Sequence, residues 1–434
     1  MTTDSRLTRD LPAILGDLAT GPYPDYIDDV LATSAGIRQR PGWTFPERWL
    51  PMVDLVRQPV LVPRLPWRTI VLAIVVLALL FAAAAVYIGS QQQRIPPPFG
   101  LARNGLVAYD AGGDIFTADP VTGAATAIVS GPQTDVEPRF SLDGRQVAFE
   151  RKLGTTRSQI YVARADGSGL TLVTPETVAL TAADAGRAWL RYDFSPDGTT
   201  LLIATTTKGV PSITLANTDG TGMRELDVGM AAAELSFRPP DGREILFSGS
   251  GLTRGGLFAV DVATGKVRDV RLIGTEFDLA GPSWSPDGSR IAYWMWGGCC
   301  TGQTAKSHVI AADGSGDNEL PMPIGAVWNA HATWSNSGTR LFIARAYTDG
   351  FDDVRGAVVP ADGSSTGVEI APAGSVETVC CAAWMWSPDD SQIFGRPAGV
   401  SIHPNALILD VAGGPVRSAP WVSSSDPTWQ RLAP

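Results

Sequence analysis

The hydrophobic pattern changes character twice along the chain. In residues 1–67 the apolar positions fall in short helical stripes. Leu7, Leu11, Ile14, Leu15 and Leu18 share one face, and Tyr26, Ile27, Val30 and Leu31 form a second stripe after Pro24. Pro41, Pro46, Pro51, Pro59, Pro63 and Pro66 then forbid any long helix. Ile70–Ile88 is different: nineteen residues without a charge. At about 1.5 Å per residue such a helix reaches roughly 28 Å, the thickness of a bilayer's hydrocarbon core. From Gly105 onward the pattern becomes short apolar runs punctuated by Asp, Gly and Pro, which predicts many strands joined by tight turns.

Those runs repeat. An aromatic residue followed by a Ser/Pro/Asp/Gly-type turn recurs at Phe140-Ser-Leu-Asp-Gly, Phe194-Ser-Pro-Asp-Gly, Phe237-Arg-Pro-Pro-Asp-Gly, Trp284-Ser-Pro-Asp-Gly, Trp334-Ser-Asn-Ser-Gly and Trp386-Ser-Pro-Asp-Asp. The aromatics are spaced by 54, 43, 47, 50 and 52 residues. Pro presets one turn position, Asp bonds back to its own backbone, and Gly supplies a positive φ. An apolar strand follows each turn, as in Gln146-Val-Ala-Phe149 and Arg290-Ile-Ala-Tyr293, and is suited to burial on both faces.

A second motif, offset from the first, marks the next strand. It runs from Asp114-Ile-Phe-Thr-Ala-Asp119 through Gln159-Ile-Tyr-Val-Ala163 and five further copies to Ala406-Leu-Ile-Leu-Asp410. Seven copies of this strand face six of the aromatic one. The missing aromatic strand is at the far end: Asp426-Pro-Thr-Trp429 lies 43 residues after Trp386, while Gly105-Leu-Val-Ala-Tyr109 opens a blade with no aromatic strand before it. The two fragments complement each other. The expected fold is therefore all-β, a seven-bladed propeller closed by its C-terminal strand, with six or eight blades as alternatives.

These motifs resemble the WD-like repeats of TolB-type β-propellers, most directly in Phe194-Ser-Pro-Asp-Gly198 and Trp284-Ser-Pro-Asp-Gly288. The resemblance covers residues 105–434 and implies fold, not activity. The domain plan is a helical and proline-rich segment at 1–67, a transmembrane helix at 68–89, a linker at 90–104 and the propeller at 105–434.

Charge sets the topology. Arg48, Arg57, Arg64 and Arg68 precede the apolar run while Arg94 and Arg103 follow it, which favours an N-terminus in the cytoplasm and a propeller outside it. Residues 105–434 hold 24 basic and 36 acidic side chains, so the propeller should stand off from anionic surfaces, and nucleic acid is not an expected partner. The single-anchor plan is similar to that of membrane-bound anti-sigma factors. That resemblance implies a cytoplasmic sigma-type factor as partner, although residues 1–67 contain neither His nor Cys for the zinc site of many such proteins.

The search for chemistry gives a non-catalytic expectation with no cofactor. Ser248-Gly-Ser-Gly251 and Asp166-Gly-Ser-Gly169 lack the nucleophile-elbow spacing, Gly265-Lys266 lacks the earlier glycine of a phosphate loop, and H-E-x-x-H is absent. A hydrolase domain following the ring closure is not expected. No metal site is expected. Cys299-Cys300 and Cys380-Cys381 read as loop staples, with bridges within or between the pairs left open. Trp294, Trp384 and Trp386 read as blade packing. Trp296, His331 and Asp352 are the expected lining of a ligand-binding rim for a protein, peptide or glycan. The leading expectation is a membrane-anchored binding or sensing module. The alternatives are an anti-sigma-like regulator and a propeller hydrolase or lyase.

Overall fold

The computed structural model describes residues 67–91, 99–154, 158–174, 192–207, 210–250, 255–273, 278–296, 305–348, 353–372, 384–395 and 405–433. The chain divides into one unit up to Tyr87 and a second from Ile88. Trp67–Gln91, which runs across that division, forms a single helix of 25 residues. Its side chains are described from Trp67 to Phe81, Thr69 excepted, and they are exposed: Leu77, Leu80 and Phe81 face outward. Among the described residues no helix is long and apolar enough to cross a membrane, so the expected transmembrane helix is not supported there. The two N-terminal helical stripes lie outside the described residues.

The second unit is a propeller of seven four-stranded antiparallel sheets. Blade 1 joins Thr428–Leu432 to Arg103–Ala111, Asp114–Ala118 and Ala125–Val129, so the C-terminal strand closes the ring as its spacing predicted. Each other blade opens on a first strand that ends at a motif aromatic. These are Thr134–Phe140, Tyr192–Phe194, Ala231–Phe237, Asp278–Trp284, Trp328–Trp334 and Trp384–Trp386 for blades 2 to 7. First strands touch their counterparts from blade 1 to 2 and on from 3 through 7, and so ring the axis. Second strands pack from both sides: Val147, Ala148 and Phe149 in blade 2, or Ile291, Ala292 and Tyr293 in blade 5, are all fully buried.

The turn motif explains itself in hydrogen bonds. Ser285 Oγ donates to Asp287 Oδ1 at 2.5 Å and accepts from Arg290 N at 2.9 Å, and the same pair of bonds recurs at Ser141, Ser195 and Ser387. Gly288 is obligatory for two reasons. Its φ is 67°, and a Cβ there would lie 2.0 Å from the Pro239 carbonyl oxygen of the preceding blade. Its own carbonyl accepts from Arg238 Nε at 3.0 Å. The stitch repeats around the ring: Gln430 to the Gly144 carbonyl, Gln146 to Gly198, Arg290 to Gly338, and Arg340 to Asp390. Arg238, Arg290 and Arg340 also lie 4.9–5.2 Å over Trp284, Trp334 and Trp386.

Blade 7 breaks the motif, with Asp390 where the other described turns place glycine. Asp390 adopts φ 60°, a conformation that costs a non-glycine residue roughly 1 kcal/mol or more. Its buried carboxylate offsets that cost by accepting from Asn336 N at 2.6 Å, Asn336 Nδ2 at 3.1 Å and Ser337 N at 2.9 Å. Arg431 on the closing strand reaches the same Asn336, donating to its Oδ1 at 2.6 Å. The seam of the ring is thereby tied to blade 6.

Candidate functional site

Each first strand of blades 2, 4, 5 and 6 carries a β-bulge at the same height. The pairing register shifts between Val136 and Arg139, Ala233 and Ser236, Ala280 and Ser283, and Ala330 and Thr333. One residue in each bulge takes a left-handed conformation: Glu137 (φ 57°), Glu234 (φ 54°), Gly281 (φ 59°) and His331 (φ 58°). All four stand three residues ahead of the motif aromatic, the position that Asp426 occupies ahead of Trp429. Bulges re-aim side chains, and a charged residue held where glycine is easiest marks a position whose side chain matters.

The bulges form a band around the axis, toward the end of the propeller opposite the Ser-Pro-Asp-Gly turns. Glu234 Oε1 accepts from the Gly281 backbone N–H at 2.8 Å, joining blade 4 to blade 5. The His331 ring packs on Trp294 with centroids 4.9 Å apart. His331 keeps part of its surface in solvent, yet desolvation pulls its pKa down to about 4, so it is neutral at pH 7. Asp193, also half-buried and one residue ahead of Phe194, has its pKa raised by burial, against the opposing pull of Arg139 and the Phe194 N–H. Both side chains keep part of their surface in solvent and so remain able to exchange hydrogen bonds with it.

On the blade 1–3 side the band is backed by buried acids. Asp110, 1% exposed, accepts at Oδ1 from Ser425 N at 2.9 Å and from the Ser425 hydroxyl. Ser425 Oγ in turn accepts from Glu137 N at 3.1 Å. Glu150 is fully buried and holds Lys152 Nζ at 2.6 Å. The Tyr192 hydroxyl donates to the Glu137 carbonyl. Burial raises the Tyr192 pKa well above its ordinary value, and the charges of Glu137, Glu150 and Asp110 add to that rise.

Of the expected rim, the structure places His331 in this band. Trp296 ends the second strand of blade 5, paired in register with Asp278, and nothing is described of its side chain. Asp352 and all four cysteines lie outside the described residues. Trp294, Trp384 and Trp386 are buried packing aromatics, as read from sequence. Sequence reasoning missed Glu137, Glu234 and Gly281, although their common offset from the motif aromatic was in view. It also passed over Gly363-Ser-Ser-Thr-Gly367, which has the letters of a nucleophile elbow. Those residues form the exposed turn between Val354–Pro360 and Val368–Ala371 of blade 6, a hairpin and not the strand-to-helix corner that an elbow requires.

No family model matches the chain, and no curated protein matches it. Solved structures do match. An oligogalacturonate lyase in complex with manganese superposes with a TM-score of 0.53 at 15% identity, covering 74% of this chain and 85% of that one. A prolyl endopeptidase gives 0.50 at 13% identity over 76% of this chain, which spans 50% of that chain. TolB from Acinetobacter baumannii gives 0.42 at 16% identity, covering 81% of this chain and 71% of that one. The fold is a propeller. The non-catalytic expectation is corrected here: propellers of the same shape occur in a lyase and in a peptidase, so the fold gives no ground for excluding catalysis.

Proposed function

We propose that this chain is a membrane-anchored, extracytoplasmic propeller that binds a ligand at the bulge-lined mouth of its ring and serves as a binding or sensing module. The observation that carries this reading is the set of in-register bulges: Glu137, Glu234 and His331 are held in left-handed conformations at one height around the axis. A purely structural ring would favour glycine at those positions. The anchor reading rests on the uncharged run Ile70–Ile88 and on the arginine bias before it. The test is a thermal-shift screen of the full chain in detergent against glycans and short peptides. A hit whose shift is lost in both Glu234→Gln and His331→Ala supports the mouth as the site. A hit that survives both variants removes it.

A second reading is that residues 1–67 hold a sigma-type factor in the cytoplasm, making the propeller its sensor. It rests on the single-anchor plan alone. Residues 1–67 used as bait in lysate from the source cells should then recover such a factor. A clean negative leaves the segment as an anchor tail.

A further inference from the structure

Two copies of the turn motif depart from the others, and they meet at the turn end of the propeller. In blade 6, Asn336 and Ser337 stand where Trp284-Ser-Pro-Asp-Gly has Pro and Asp; in blade 7, Asp390 stands where it has Gly. The departures complement each other. A proline at 336 would have no N–H to give. The Asn336 and Ser337 N–H groups both donate to the Asp390 carboxylate, and Asn336 Nδ2 also donates to the Ser387 carbonyl at 2.8 Å. Asn336 Oδ1 is then left for Arg431, which donates to it at 2.6 Å.

The other arm of the Arg431 guanidinium holds the incoming chain, Nη2 donating to the Gly100 carbonyl at 2.5 Å. Around that contact, residues 99–104 are fastened to the seam between blades 7 and 1. Ala102, itself buried, donates its N–H to the Pro388 carbonyl at 2.9 Å, and Asn104 Oδ1 accepts from Asp389 N at 3.2 Å. Arg103 Nε donates to the Ala433 carbonyl at 2.7 Å. Arg431 is buried, and desolvation pulls its pKa down to about 10 against the opposing charge of Asp390, so it stays charged at pH 7. Losing either acceptor would strand part of a buried, charged donor, so the contacts to Gly100 and Asn336 support each other.

We propose that residues 99–104 form a strap latched to the ring through Arg431, so that ring closure and strap docking are one coupled equilibrium. A loosened seam releases the strap, and an undocked strap loosens the seam by the same free energy. The coupling does not depend on a ligand at the mouth. In a sensing role, which rests on the function proposed above, the strap is where a change in the ring reaches the residues that precede it.

Trypsin cleavage between Arg103 and Asn104, in the full chain in detergent, reads the strap. That bond must leave its pairing with Leu432 and Arg431 before it can be cut. Arg431→Met keeps the apolar stem and removes the guanidinium, and is expected to speed the cut by about tenfold or more. Arg290→Ala weakens blades 5 and 6 away from the seam and should leave the cut unchanged. From the strap side, Ala102→Glu should speed amide hydrogen exchange in residues 428–432 while leaving the strands of blade 4 unchanged. Should Arg431→Met fail to fold, Asn336→Ala, which removes one of its two acceptors, takes its place. An unchanged rate in the seam variant, or equal acceleration by Arg290→Ala, overturns the latch. Exchange in Ala102→Glu that is unchanged, or that rises equally in blade 4, overturns the coupling.

Discussion

His331 shows how one residue can hold a structural penalty and a titration penalty together. Its φ of 58° is unfavourable for a histidine, and its pKa of about 4 lies below the ordinary value near 6.5 because burial disfavours the charged ring. The unfolded chain therefore takes up a proton first as pH falls. Stability is unaffected by this group above about pH 7, declines from about 6.5, and reaches its full loss near pH 4, at most about 3 kcal/mol. His331→Asn keeps a residue that tolerates the left-handed conformation and removes the titration. Urea midpoints measured at pH 7, 5.5 and 4.5 should show a shallower acid limb for the variant than for wild type. Parallel limbs would show that His331 is not the group responsible. Asp390 is the complementary case, where left-handed backbone is offset by three hydrogen bonds to one carboxylate and not by a packed ring.

At the scale of the element, the turn joining first and second strands is both a corner and an inter-blade socket. Arg290, at the start of the second strand of blade 5, lies 4.9 Å over the Trp334 ring of blade 6. It also donates to the Gly338 carbonyl at 2.9 Å and the Ala361 carbonyl at 3.2 Å. Arg290→Ala removes all three contacts and should lower stability by about 2 kcal/mol, read as a shift in the denaturation midpoint without a change in slope. Arg290→Lys keeps the charge but not the planar fork, so it should recover less than half of the loss. Full recovery by lysine would mean that charge, and not stacking or bidentate donation, holds blades 5 and 6 together.

For the whole molecule, closure is the decisive event. The strand Thr428–Leu432 pairs with Arg103–Ala111, matching Val107 to Trp429 and Ala108 to Thr428, and buries Trp429 against blades 1 and 7. Removing residues 428–434 would leave the Arg103–Ala111 edge unpaired and uncover Phe394, which packs on Trp429 with ring centroids 5.0 Å apart. The truncated chain should lose its single cooperative unfolding transition and run as higher oligomers on size exclusion. A monomer with an unchanged transition would show that the ring holds without its closing strand.

How much of this could be read beforehand follows from what each feature is made of. The blade count, the turns and the closure by Asp426-Pro-Thr-Trp429 were legible because each blade must solve the same local problem with the same residue types: an aromatic to wedge between sheets, a Ser–Asp pair to fold the corner, a glycine where a Cβ would strike the neighbouring blade. The buried packing tryptophans were legible for the same reason. The bulge positions were not, because Glu137, Glu234, Gly281 and His331 share a backbone conformation and a height on the axis, not a chemical type. Only the tertiary structure could show that the charges of Asp110 and Glu150, 40 residues apart and on different blades, both reach Tyr192. That depends on strands of separate blades being set side by side around a common axis, and local periodicity carries no record of it.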